Sequence, residues 1–103
     1  MVTSTVSTLE QLSDFVNSIL CQHNQLEVGA FPLTQRILIR AEQPCGIYFC
    51  LHGPRSVKFS AIWETQRNTI LLYGANGERT DRIQLVNAPR LEMAAFAAAG
   101  NRV

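Results

Sequence analysis

The fold of this chain is decided by residues 46–64, which read GIYFCLHGPRSVKFSAIWE. Large apolar residues occupy alternate positions on both sides of His52-Gly53-Pro54-Arg55, a segment whose composition favours a turn. A period of two places successive side chains on opposite faces of a strand. The sequence therefore predicts a β-hairpin whose core face carries Ile47, Phe49, Leu51, Val57, Phe59 and Trp63.

An amphipathic helix is predicted before the hairpin, over residues 8–25. Its apolar stripe recurs at steps of three and four, through Leu9, Leu12, Phe15, Val16, Ile19 and Leu20. Ser7 and Glu10 have the spacing of a capping box, and Gly29 with Pro32 indicates the exit from the helix. Residues 1–6 are expected to be a frayed lead-in.

The strand that precedes the hairpin is predicted at residues 33–41. Its alternation assigns Leu33, Ile37, Ile39 and Ala41 to the core face and Arg36, Leu38 and Arg40 to the other face. Gln43-Pro44-Cys45-Gly46 has the composition of a turn, so the reversal into the hairpin is expected there.

Two further strands are predicted after the hairpin. Residues 65–68 form the next turn, residues 69–73 the fourth strand, and residues 79 to about 86 the fifth. Asn76-Gly77 between them is a strong hairpin signal, because both residues accept positive φ at low cost. A closing helix is predicted at residues 88–99, with Pro89 in its first turn and Gly100 as its stop.

These elements predict an α+β fold: a single domain over residues 1–103 built as a two-layer sandwich. Its layers are a five-stranded antiparallel meander sheet and the N- and C-terminal helices, because short links between successive strands favour antiparallel neighbours. The 103 residues are 47% hydrophobic and 17% charged, which is typical of a folded globular domain.

The composition also limits the classes of partner and compartment. The net charge of +1 provides no overall attraction to nucleic acid or to an anionic membrane. No apolar run is long enough to cross a membrane, and no signal peptide is visible. Three cysteines do not make a disulfide framework, so a reducing, cytoplasmic location is expected.

The face of the sheet that points away from the predicted core is the candidate site. An ordinary solvated face would be polar throughout, whereas this one mixes basic residues with Tyr, Leu and Ile. The mixture is typical of protein interfaces. We therefore predict a non-enzymatic module that binds a protein partner, or a second copy of itself, through Arg36, Arg40, Tyr48, His52, Lys58, Tyr73 and Arg82.

Two other interpretations of this face remain open. The C-terminal helix could cover part of it and leave the arginines at the rim. Alternatively, basic and aromatic residues on an open sheet could bind single-stranded nucleic acid by neutralising phosphates and stacking bases. The low net charge disfavours nucleic acid, because that binding depends on several phosphate contacts.

The cysteines and histidines suggest metal binding or nucleophilic catalysis only weakly. Cys45, Cys50 and His52 are candidate zinc ligands, because thiolate and imidazole suit this ion, but their spacing is not that of a standard zinc motif. A Cys–His nucleophile would also need an orienting group and an oxyanion site, and the sequence indicates neither. No cofactor is predicted.

Overall fold

The structure is a computed structural model that describes residues 3–5 and 8–87. Within these residues, the helix and strands follow the hydrophobic pattern of the sequence. In chain order they are β1 (Thr3–Thr5), α1 (Leu9–His23), β2 (Leu33–Arg40), β3 (Gln43–His52), β4 (Lys58–Glu64), β5 (Thr69–Tyr73) and β6 (Arg79–Asn87). The predicted α+β class is confirmed for this part of the chain. The C-terminal helix predicted at residues 88–99 lies outside it.

The sheet is an antiparallel meander with one added strand. The spatial order is β1-β6-β5-β4-β3-β2, and each pair from β2 to β6 is antiparallel, as the short connections predict. Residues 3–5 form β1, which pairs in parallel with β6, where the sequence predicts a frayed lead-in. A three-residue strand has too little periodicity to be recognised from sequence.

The helix α1 lies on one face of the sheet and begins one residue later than the capping-box spacing predicts. Its N-cap is Thr8, whose hydroxyl accepts a hydrogen bond from the Gln11 backbone N–H at 3.0 Å. At its other end the Asn24 side chain donates to the Leu20 carbonyl at 2.7 Å. The stripe predicted for this helix contributes to the core, together with the buried thiol of Cys21.

The phase of the hairpin agrees with its sequence pattern. Phe49 and Leu51 are 0% exposed, and Trp63 is 1% exposed, all on the face that α1 covers. Val57 and Phe59, which the sequence also assigns to the core, are half-buried near the turn. The core is completed by Ile37 from β2, Ile70 and Leu72 from β5, and Ile83 and Leu85 from β6.

The β2–β3 connection differs from its prediction. The reversal occurs at Ala41-Glu42, where both residues have positive φ (52° and 64°), and residues 43–46 belong to β3. The pairing passes from Leu38 with Gly46 to Ile39 with Pro44, so Cys45 is the extra residue of a β-bulge. Any side chain at Gly46 would collide with the Trp63 carbonyl oxygen, which explains a glycine beside the bulge.

Two core assignments in the strand predicted at residues 33–41 are wrong. The last pair between β3 and β4 joins Gly46 to Glu64, so the sheet is only two strands wide at Ile39. The Ile39 side chain is consequently 44% exposed. Ala41 is exposed as well, because it lies in the turn rather than in the strand.

Asn68 connects the β4–β5 turn to β6. Its φ of 50° lies in the left-handed region, which Asn tolerates better than most residues. The Trp63 indole N–H donates to the Asn68 side-chain oxygen at 3.1 Å, and the Asn68 amide donates to the Leu85 carbonyl at 3.1 Å. The indole N–H of the buried Trp63 thereby has an acceptor, and the β4–β5 turn is hydrogen-bonded to both β4 and β6.

We expect Phe49→Ala to lower the free energy of unfolding by about 3–5 kcal/mol, because it leaves a cavity in a fully buried site. Tyr48→Ala, one residue away on the other face, should cost much less. Chemical denaturation of both variants measures the difference. Equal losses would mean that the sheet is covered on both faces.

We expect Asn68→Ala to lower the free energy of unfolding by about 2–3 kcal/mol, because it leaves the Trp63 N–H without an acceptor. Asn68→Asp retains an acceptor and should cost less. The control is Gln66→Ala, an exposed position in the same turn, for which we expect a change within about 0.5 kcal/mol. Matching losses for Asn68→Ala and Gln66→Ala would contradict the proposed connection.

Candidate interaction surface

The face of the sheet opposite α1, here called the outer face, carries an ordered row of side chains. Register partners across five strands place Arg36 beside Tyr48, Tyr48 beside Ile62, Ile62 beside Leu71, and Leu71 beside Arg82. We call these five residues the central row. Its three inner members are half-buried and its two arginines are exposed. The row is therefore an apolar strip with a guanidinium at each end.

The other predicted site residues lie on the same face in neighbouring rows. Tyr73 pairs with Ser60, and His52 pairs with Lys58. Arg40 follows Leu38 by two residues on β2 and therefore shares its face. The structure thus brings all seven residues predicted from sequence to one face, although they come from five strands.

Arg79 also belongs to this face, and the sequence pattern misses it. The pairing passes from Leu72 with Asp81 to Tyr73 with Arg79, so Thr80 is an extra residue. Counting in steps of two from Arg82 would place Arg79 on the core face. The irregularity shifts the phase and places Arg79 beside Tyr73 instead. No local signal in the sequence marks this position.

The charge on the outer face is mainly positive, although Glu64, two residues after Ile62 on β4, also lies on it. Five exposed cations border its apolar centre, namely Arg36, Arg40, Lys58, Arg79 and Arg82. Within residues 8–86, for which side chains are described, none of the five has a carboxylate within 4 Å. Residues 9–32, which include α1 on the opposite side of the sheet, contain Glu10, Asp14 and Glu27 but no Lys or Arg. A net charge of +1 therefore conceals a separation of charge between the two layers.

One arginine of the central row is held in place by its neighbour. The guanidinium carbon of Arg36 lies 5.6 Å from the centroid of the Tyr48 ring, within the range of a cation–π contact. This contact directs Arg36 across the sheet, towards β3. It also covers one face of the tyrosine ring.

A shallow cleft of about 420 Å³ lies where the outer face meets the Cys45 bulge. Arg40 and Arg67 supply its positive charge, Glu64 its negative charge, and Leu38 and Ile62 its apolar wall. The bulge creates the cleft in part, because Cys45 is itself among the lining residues. Sequence reasoning missed Arg67, which lies in a turn where strand alternation gives no information.

The three candidate zinc ligands do not converge. Cys45 and Cys50 lie five positions apart on β3, a separation of about 16 Å at the rise of an extended strand. Two thiolates that share a zinc ion lie within about 4 Å of each other, because each Zn–S bond is about 2.3 Å. His52 Nε2 lies 2.9 Å from the Thr34 hydroxyl oxygen. Within the described residues, no group of three His, Cys, Asp or Glu side chains is placed to hold a metal ion.

The three cysteines differ in exposure, and all are free thiols. Cys21 is 0% exposed, and burial raises the pKa of its thiol above the ordinary value. Cys50 is 6% exposed although it lies on the outer face. Cys45 at the bulge is the most accessible of the three.

In the part of the chain that the structure describes, no helix has the length and apolar character needed to cross a membrane. Comparison with protein-family models, curated proteins and solved structures found no significant match to this chain. The geometry of the outer face is therefore the basis for the function proposed below.

We expect a thiol reagent such as 5,5′-dithiobis(2-nitrobenzoic acid) to modify Cys45 in the native protein well before Cys21. The reactive species is the thiolate, and burial limits both its formation and its access at Cys21. Time-resolved labelling followed by peptide mass spectrometry measures the order. Labelling of Cys21 at the rate of Cys45 without denaturant would contradict the described core.

Proposed function

We propose that this chain is a non-enzymatic interaction module of the cytoplasm. It binds a partner protein through the outer face of its sheet, and the partner segment carries carboxylates around apolar side chains. The observation that supports the proposal most directly is the central row, in which Tyr48, Ile62 and Leu71 form an apolar strip between Arg36 and Arg82. The three free cysteines favour a reducing compartment.

The charges favour an acidic partner. Among residues 8–86, no carboxylate lies within 4 Å of the cations that surround the strip, so a partner carboxylate would gain an ion pair there without breaking an existing one. Arg and Tyr are also the residue types that supply much of the binding energy at protein interfaces. A second copy docked by the same face would place cations against cations, which disfavours self-association through this surface.

The apolar strip and the cleft supply the hydrophobic part of the interaction. The strip is half-buried within the monomer, so a partner needs to add only a narrow apolar ridge to exclude water from it. The cleft accepts one larger side chain beside Leu38 and Ile62, with Arg40 and Arg67 able to pair with an adjacent carboxylate. We assign it to the anchor residue of the partner.

Single-stranded nucleic acid fits the same face less well. Stacking of successive bases depends on exposed aromatic rings. Tyr48 lies on β3 and Tyr73 on β5, and these two strands are about 10 Å apart at the usual strand spacing. Aliphatic Ile62 and Leu71 occupy the centre of the face. Arg36 already covers one face of the Tyr48 ring.

The test is selection of binders from a random peptide-display library, followed by titration of the selected synthetic peptides. We expect the selected sequences to combine Asp or Glu with large apolar residues. Arg82→Glu should weaken their binding about tenfold or more, because it reverses one end of the central row. The control is Arg55→Glu, the same charge change in the turn between β3 and β4.

Two outcomes would contradict the proposal. One is selected peptides that bind wild type, Arg82→Glu and Ile62→Thr with equal affinity. The other is failure to select acidic, apolar peptides together with salt-dependent binding of mixed-sequence single-stranded oligonucleotides, which would favour the nucleic-acid function instead.

A further inference from the structure

The second feature that suggests a partner is the open edge of β2. This strand is eight residues long and is the last in the sheet, so within the described residues it pairs with β3 alone. An edge strand presents unpaired N–H and C=O groups to which another strand can bind. β2 contains no proline, and its side chains include the exposed Ile39. The strand is neither short nor interrupted by proline, and these are two of the features that usually discourage strand addition.

The hydrogen bonds of the sheet determine which groups face the open edge. The His52 N–H donates to the Pro32 carbonyl at 2.9 Å, so residues 32 and 52 form a hydrogen-bonded pair. Such pairs recur at every second position of an antiparallel ladder. Even-numbered residues of β2 therefore bond to β3. The backbone groups of Leu33, Gln35, Ile37 and Ile39 face outward, and no strand in the described part of the chain pairs with them.

We infer that this edge pairs with β2 of a second copy of the chain, antiparallel, about a two-fold axis at Ile37. Ile37 then lies opposite the partner's Ile37, and Gln35 lies opposite the partner's Ile39, with outward groups meeting outward groups. On the outer face, Arg36 lies opposite the partner's Leu38, and Thr34 lies opposite the partner's Arg40. The exposed Ile39 gains neighbours on the adjoining strand.

The charges of β2 exclude the two neighbouring registers. A shift that places Gln35 opposite the partner's Ile37 would set Arg36 against its own copy. The opposite shift, with Ile37 against the partner's Ile39, would set Arg36 against the partner's Arg40 twice. Like charges directly opposite each other destabilise a pair of strands. The Ile37-centred register avoids both contacts and overlaps the whole strand. The contact of Arg36 with Tyr48 also draws its guanidinium away from the seam.

A two-fold axis in this position is perpendicular to the sheet, because residues directly opposite each other share a face. Both outer faces therefore lie on the same side of one continuous sheet, and both copies of α1 lie on the other. The dimer would present two copies of the central row side by side. The pairing does not depend on the proposed function, since the seam uses backbone groups that the outer face does not.

The test is sedimentation velocity over about 1–300 μM on the full chain, with a pair of variants matched at one position. Thr34→Glu places a carboxylate opposite the partner's Arg40, and Thr34→Lys places a like charge there. Both lose the contact with His52 equally. Because symmetry doubles each pair, we expect the dimer dissociation constants of the two variants to differ by about tenfold, with Thr34→Glu the tighter.

Gln35→Pro supplies the second measurement. It removes an outward N–H that no described strand of the monomer uses, so circular dichroism should show a native sheet while dimerisation is lost. Three results would overturn the inference. The first is a wild-type protein that stays monomeric at 300 μM, and the second is equal dissociation constants for Thr34→Glu and Thr34→Lys. The third is a dimer whose dissociation constant changes in Arg82→Glu and not in the Thr34 variants. The last result would indicate contact through the outer face. Loss of peptide binding in Arg82→Glu with the dimer intact separates the two proposals.

Discussion

The constraint on which the rest of this structure depends is the phase of the β3–β4 ribbon. Phe49 and Trp63 are large, apolar and almost wholly removed from water beneath α1. A strand that slipped by one residue would expose both rings and bury Tyr48 and Lys58 in their place. The hydrophobic cost of that slip fixes the ribbon, and the ribbon orients the strands paired on either side. The identity of the outer face is therefore a consequence of core packing.

The turn after β4 provides the hydrogen-bond acceptor that the buried Trp63 needs. A buried Trp brings a polar N–H into the core, and an unpaired N–H there would destabilise the fold. Asn68 accepts that hydrogen bond and also donates to Leu85 on β6. The same residue adopts the positive φ that the turn requires. One side chain thus joins the largest core residue, a tight turn and a strand two positions away in the sheet.

The outer face consists of the strand residues that alternate with those of the core. Once α1 covers one side of the sheet, the alternate residues of five strands fall together on the other side. There the register sorts them into an apolar strip with cations around it. The acidic residues of α1 and its following loop lie in the other layer, so they do not neutralise these cations. A nearly neutral chain can in this way present a basic, partly apolar surface and an open strand edge beside it.

The sequence by itself determined the helix, the meander of β2 to β6 and the face assigned to the hairpin. Each of these produces a local hydrophobic periodicity of two or of 3.6 residues. It also assigned the seven candidate site residues to one face. Only the tertiary structure decided the reversal at Ala41-Glu42, the bulge at Cys45 and the irregularity at Thr80. An extra residue in a strand changes which side chains share a face without changing the composition that sequence patterns detect. Arg79, Ile39 and the cleft beside Arg67 follow from those irregularities, since their positions depend on which strands end nearby and not on the residues next to them in the chain.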